Sequence, residues 1–213
     1  MKKLFLMALV ALSVSAFAQK VTPLNIELTE VKLDSLRTLY LAEPIMYRAA
    51  LNTLAQALEK DEAEVKAAKT ELKTEQAHAK EMAISLKEAS KMVASIKKLY
   101  AKEESELKSM QKTVEKQQRT LSRQNELNAE TRDSYTQILE KQQKELGYSL
   151  REVAERQRAI ADLETTIQNG QSRLSNYEQQ TNQKASELAG IEAELKARIA
   201  SVKAEQKAAK NLQ

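Results

Sequence analysis

His78 is the only histidine among the 213 residues of this chain, and it sits in Ala77-His78-Ala79-Lys80. Histidine does chemistry in company: a triad needs a nucleophile and an orienting carboxylate, and a zinc site needs further nitrogen or sulfur donors. The chain has no cysteine, so the remaining ligands of a zinc site would have to be carboxylates alone, and His78 reads as a solvent-facing or flanking helix residue. Adjacent acids such as Glu103 and Glu104 could move protons only inside a cleft that dries them and shifts their pKa values. The three glycines are isolated singletons, so no phosphate-cradling loop is present in the sequence. The expectation is no enzymatic site, no cofactor, no metal centre and no small-molecule substrate.

Of the six tyrosines, Tyr100, Tyr135 and Tyr177 sit on seam lines, with Tyr148 close by. Two roles fit them: seam packing with hydroxyls reaching water, which their spacing favours, and docking handles for a partner helix.

The elements that must hold these residues can be read from composition. Apolar residues make up 42% of the chain, charged residues 30% and aromatics only 4%, with three Gly, two Pro and no Trp. A compact core needs bulky residues and loops need breakers, and both are scarce here. Basic residues number 34 against 30 acidic, with Lys2 and Lys3 among the former. So even a balance, without a polybasic block, argues against nucleic acid as a partner.

Residues 1–18 have the pattern of a secretory signal: Lys2-Lys3, an apolar run from Leu4 to Val14, then Ala16 and Ala18 at the positions a signal peptidase inspects, with cleavage before Gln19. The apolar stretch is short of the roughly 20 residues of a spanning helix. The sequence has no second apolar run, so no transmembrane span is expected after signal removal. The brevity of the segment points to a bacterial protein exported through the inner membrane, with the periplasm as the first choice and secretion or surface association as alternatives.

Residues 19–50 differ in texture from the residues downstream of them. Leu24, Ile26 and Leu28 alternate with polar residues, which suits a short extended piece, and Val31, Leu33, Leu36 and Leu39 suit a short helix. The segment ends in a dense apolar cluster, Leu39, Tyr40, Leu41, Ile45, Met46 and Tyr47, interrupted by Pro44. Packing within the chain or on a sister chain would hide this cluster, and docking of another protein is the alternative.

From Ile45 to Leu146 there is neither Gly nor Pro, and the stretch is rich in Ala, Glu, Lys, Leu and Gln, all good helix formers. Leu51, Leu58, Val65, Leu72, Ala79, Leu86, Val93, Tyr100, Leu107, Val114, Leu121, Asn128 and Tyr135 recur every seven residues. A companion line three residues on holds Leu54, Ala68, Met82, Ala89, Ile96, Met110 and Ile138 but is interrupted by Asp61, Glu75, Glu103, Gln117, Gln124 and Thr131, an a/d seam with polar defects. A second line runs through Leu139, Leu146, Val153, Ile160, Ile167, Leu174, Thr181, Leu188, Leu195 and Val202 without a slip. Gly147, Gly170 and Gly190 therefore read as weak points within a helix. Around Thr181 and Lys184 the seam looks soft, and the Gln- and Asn-rich stretch 168–183 is either an interaction surface or loosened coil.

The two lines are four residues out of step, and the polar segment 122–134, with Asn125 and Asn128, lies just before the jump. Two all-α coiled-coil architectures fit, each with a short irregular N-terminal segment. In an antiparallel hairpin, 51–121 and 135–213 are the arms and 122–134 the tip, where Asn125 and Asn128 are candidate docking residues. In an extended parallel oligomer the offset is a stutter. Matched arms favour the hairpin, whereas the lack of Gly or Pro at its tip counts against it. Either way a helix with one apolar stripe needs company in water, so self-association or binding to envelope proteins is expected. The functional expectation is a structural, tethering or adaptor component of the bacterial envelope. The alternative is a periplasmic holdase clasping exported clients.

Overall fold

The structure, a computed structural model, describes residues 20–124 and 128–211, with the side chains of 39–42 left undescribed. The signal segment and its cleavage residues Ala16, Ala18 and Gln19 lie outside the described residues, as does Asn125. Residues 20–32 have neither helix nor strand and form an extended strap. Three helices come after it: α1 (Leu33–Ala42), α2 (Pro44–Arg123) and α3 (Ala129–Asn211). The long helices α2 and α3 pack against each other as an antiparallel hairpin, so the fold is all-α and the parallel rod is set aside.

Local chemistry accounts for each boundary. Pro44 opens α2, where a missing N–H costs nothing because the first turn has no carbonyl to meet it. Glu43 accepts the first intrahelical bond through its carbonyl, from the Tyr47 N–H at 3.1 Å. At the other end α2 stops at Arg123, and Gln124 closes a tighter turn on the Leu121 carbonyl. Asn128 caps α3, its side-chain oxygen accepting the Thr131 N–H at 2.8 Å, a role for which asparagine is among the best residues. No non-glycine residue among those described has positive φ.

The break at 124–128 also explains the four-residue offset. Each helix carries its own heptad frame, and a line drawn through α2 has no force beyond Gln124. Tyr135, which spacing puts on the α2 line, belongs instead seven residues ahead of Gln142 on the companion line of α3, and it is exposed. Asn128, on the same extrapolated line, is a cap.

Packing divides the chain into a turn unit, residues 83–172, and a strap unit, residues 20–82 with 173–211. In the strap unit, Leu58, Val65 and Leu72 of α2 meet Leu188, Leu195 and Val202 of α3. At its end, Tyr47, Leu51 and Ala209 are covered by Leu33 and Leu36 of α1. In the turn unit, Val93, Tyr100, Ile160 and Ile167 form one cluster, and Val114, Leu139 and Leu146 another. Leu86 and Val153 are also buried, whereas Leu107, Leu121 and Leu174 are half-buried.

Polar pairs across the helices report the register. Asn52 meets Gln206, Lys69 meets Glu192 and Glu75 meets Lys184 in the strap unit. Lys97 meets Glu164, Glu104 meets Gln157 and Gln118 meets Gln143 in the turn unit. The two numbers of every pair total about 260, as an antiparallel seven-residue register requires.

Gly147 and Gly190 both lie within α3, and a Cβ at either would meet nothing within 4 Å. Neither is needed for a turn, and glycine costs a helix interior about 1 kcal/mol relative to alanine. Gly190→Ala is therefore expected to stabilise the fold by somewhat less than about 1 kcal/mol. Thermal unfolding checks this, and an unchanged or lower midpoint would contradict an unperturbed helix there.

Candidate functional site

The strap lies along the hairpin in the strap unit. Leu24, Ile26, Leu28 and Val31 pack against the buried core of Leu58, Val65, Leu72, Leu188, Leu195 and Val202, as do Leu54, Ala68, Ile191 and Ile199 of the hairpin. An extended segment cannot satisfy its backbone internally, so side chains of the hairpin do so. Asp61 accepts the Thr29 N–H at 2.7 Å and its hydroxyl at 3.1 Å. Glu75 accepts the Thr22 N–H at 2.9 Å. Arg198 of α3 donates to the carbonyls of Leu28, at 3.0 Å, and Thr29.

The spacing is geometric. Thr22 and Thr29 are seven extended residues apart, about 23 Å, while Asp61 and Glu75 are fourteen helical residues apart, about 21 Å. Two of the carboxylates that interrupt the companion line, Asp61 and Glu75, are therefore acceptors for a backbone running antiparallel to α2. Both are buried.

Glu75 also faces Lys184, whose ammonium lies 3.0 Å from both of its carboxylate oxygens and 3.2 Å from Glu71. Burial pulls the lysine pKa down, but the hydrogen bonds to Glu75 and Glu71 outweigh it, and the net shift is upward. The hydrogen bond from Lys184 in turn lowers Glu71. Tyr177 stands near this pair, its hydroxyl pKa raised by burial and then by the Glu75 charge. Lys184 and Thr181, which look soft in the sequence, are thus among the buried polar residues. A lone ammonium there would be strongly unfavourable, and the two carboxylates offset that cost.

The apolar cluster at the start of α2 is split. Tyr47 is buried and its hydroxyl meets Glu205 at 2.5 Å, while Arg37 of α1 grips the same carboxylate with both oxygens engaged at 2.9 Å. Ile45 and Met46 are exposed. Leu39, Tyr40 and Leu41 belong to α1. Hydrogen bonds from Arg37 and then Tyr47 hold Glu205 at about 2, below its usual 4.5. This contribution to stability is fully present above about pH 4.5 and is lost as pH falls through about 2. Acid should therefore lower the melting temperature of the native chain more than that of Glu205→Gln, compared over that interval. Parallel acid profiles for the two proteins would contradict the tie.

The sites considered for chemistry are separate from one another. The His78 side chain is half exposed and, among the described residues, has only Glu81 at 3.7 Å for an ionic neighbour. Glu103 and Glu104 face different partners, Arg156 for the first and Gln157 with Lys108 for the second. The Arg156 guanidinium stands 5.4 Å from the centre of the buried Tyr100 ring. Tyr148 is exposed, with Arg151 over its ring at 5.8 Å. Among the described residues no three His, Asp or Glu side chains form a metal-binding group, and no helix is long and apolar enough to cross a membrane.

Two open grooves lie on the turn unit. Leu107, Met110, Val114 and Leu146 line a groove of about 840 Å³ whose polar contributors include Gln142 and Ser149. A second groove, about 600 Å³, is lined by Leu121, Tyr135, Ile138 and Leu139 with Gln117 and Gln124. Met110 is 55% exposed and Ile138 53%. Sequence spacing misses these grooves because Met110 and Ile138 fit a seam pattern. The cue available is the run of polar residues, Gln117, Gln124 and Gln142, on the companion lines. Comparison with protein-family models, curated proteins and solved structures finds no match.

Proposed function

We propose that the protein is a non-enzymatic, exported coiled-coil component of the bacterial cell envelope, acting as a tether or adaptor for other proteins. The observation that carries this reading is the exposure of Met110 and Ile138 in grooves that also contain half-buried Leu107 and Leu121. Apolar side chains gathered in a groove on a water-exposed surface mark an interaction site, and the surrounding polar residues keep that surface soluble when free. The envelope assignment rests on the signal-like residues 1–18, and the periplasm is the compartment proposed.

A holdase is the second reading, favoured by one feature: the hairpin already holds an extended apolar segment, its own strap. Chemical crosslinking in cells with quantitative recovery of the adducts separates the two. An adaptor brings down a few partners in near-stoichiometric amounts, and the same experiment dominated by many unrelated exported precursors would establish the holdase instead. Mass spectrometry of the recovered protein should give a chain starting at Gln19; an intact Met1 would overturn the export assignment.

A further inference from the structure

Two heptad lines flank the strap: Asp61, Ala68 and Glu75 on α2, and Lys184, Ile191 and Arg198 on α3. Continued in register along the chain, these lines become Met110 and Gln117 on α2 with Gln124 just past its end, and Tyr135, Gln142 and Ser149 on α3. All six line the open grooves of the turn unit. The heptad positions that receive an extended segment in one unit thus line open grooves in the other.

We infer that the turn-unit grooves receive an extended polypeptide segment with apolar side chains at every second position, lying along α2 and α3 as residues 22–29 do in the strap unit. This deepens the adaptor reading and rests on its docking surface. The lining from Glu106 to Gln124 covers eighteen residues of helix, about 27 Å, which matches about eight residues of extended chain. The recognition chemistry differs in one respect. In the strap unit, charged groups take the backbone: Asp61 and Glu75 accept N–H groups and Arg198 donates to carbonyls. On the same two lines in the turn unit, Gln124 stands where Glu75 does, and Gln117 and Gln142 where Ala68 and Ile191 do; each carboxamide offers a donor and an acceptor. They serve an extended backbone in either chain direction. Met110 and Ile138 supply the apolar floor for the alternate side chains. The occupant is therefore a strand-like stretch of a partner protein with alternating apolar side chains, flanked by Glu106 and Glu145 in one groove and Lys116 in the other.

The test uses the full exported chain and a fluorescent peptide with the sequence of residues 20–32. A control peptide of the same composition has Leu24, Ile26 and Leu28 moved to adjacent positions. The tethered strap competes for its own seat at an effective concentration in the millimolar range, so the free peptide reports the open grooves. Fluorescence anisotropy should show saturable binding at least tenfold tighter than for the control. Binding should weaken at least tenfold in Met110→Gln/Ile138→Gln and be unchanged in Glu75→Gln. Since Met110 and Ile138 are exposed, that double variant should keep its melting temperature, which separates lost binding from lost folding. Equal affinity for the two peptides, or a loss in Glu75→Gln instead, would overturn the inference. So would sedimentation showing a dimer that the double variant abolishes, because a second copy would then fill the grooves. Absent peptide binding with discrete partners still recovered from cells would sink this inference alone. Peptide binding with an indiscriminate client spectrum would sink the adaptor reading alone.

Discussion

Leu188→Asp is expected to unfold the strap unit at room temperature or to lower its melting temperature by well over 10 °C. Leu188 is 2% exposed and packs among Leu58, Val65, Leu72, Leu195 and Val202. Truncating a buried leucine costs about 2–5 kcal/mol, and the carboxylate adds a desolvation cost. The sum is comparable to the whole stability of a small domain. Leu107→Asp, at a half-buried position in the turn unit, should cost much less. Circular dichroism melts of both variants check the order, and similar losses would mean that the two seams are equally tight.

The second large effect belongs to the strap. Replacing Leu24, Ile26 and Leu28 together by serine is expected to destabilise the strap unit by about 3 kcal/mol, taking roughly half the value of a fully buried side chain for each half-buried one. The effect is not confined to lost area. Releasing the strap removes the Thr22 and Thr29 donors from Glu75 and Asp61, and it removes cover from the core of Leu58, Val65, Leu72, Leu188, Leu195 and Val202. Hydrogen exchange should then accelerate at α2 amides near 54–75 and α3 amides near 184–199. Unchanged protection there would show that the strap is an ornament of the hairpin rather than part of its packing.

Legibility in the sequence differs from element to element. The seam lines are explicit because a helix that buries one stripe repeats it every seven residues, and Leu51, Leu58 and Val65 keep that count without a slip. Hairpin and rod stay balanced in the sequence because the tip has no glycine. Asn128 does the capping that ends such a turn, and a capping asparagine looks like any other polar residue until the break beside it is known. Asp61 and Glu75 are legible only as defects. Their meaning depends on a segment some thirty to fifty residues away in sequence, and no periodicity within α2 records that contact. Lys184 is the same case: a lysine on a companion line reads as loosened coil until Glu71 and Glu75 are brought opposite. The open grooves are the least legible, since Met110 and Ile138 have the residue types and spacing of a seam but lack a third element to cover them.

If the grooves of the turn unit are where partners bind, photocrosslinking in living cells shows it most directly. A benzophenone amino acid is introduced at Ile138, within the groove, and separately at Ile84, which is equally exposed but does not line either groove. Groove docking predicts a small set of discrete, strong adducts from position 138 and little from position 84. Indistinguishable adduct patterns from the two positions, or none from position 138, would contradict it.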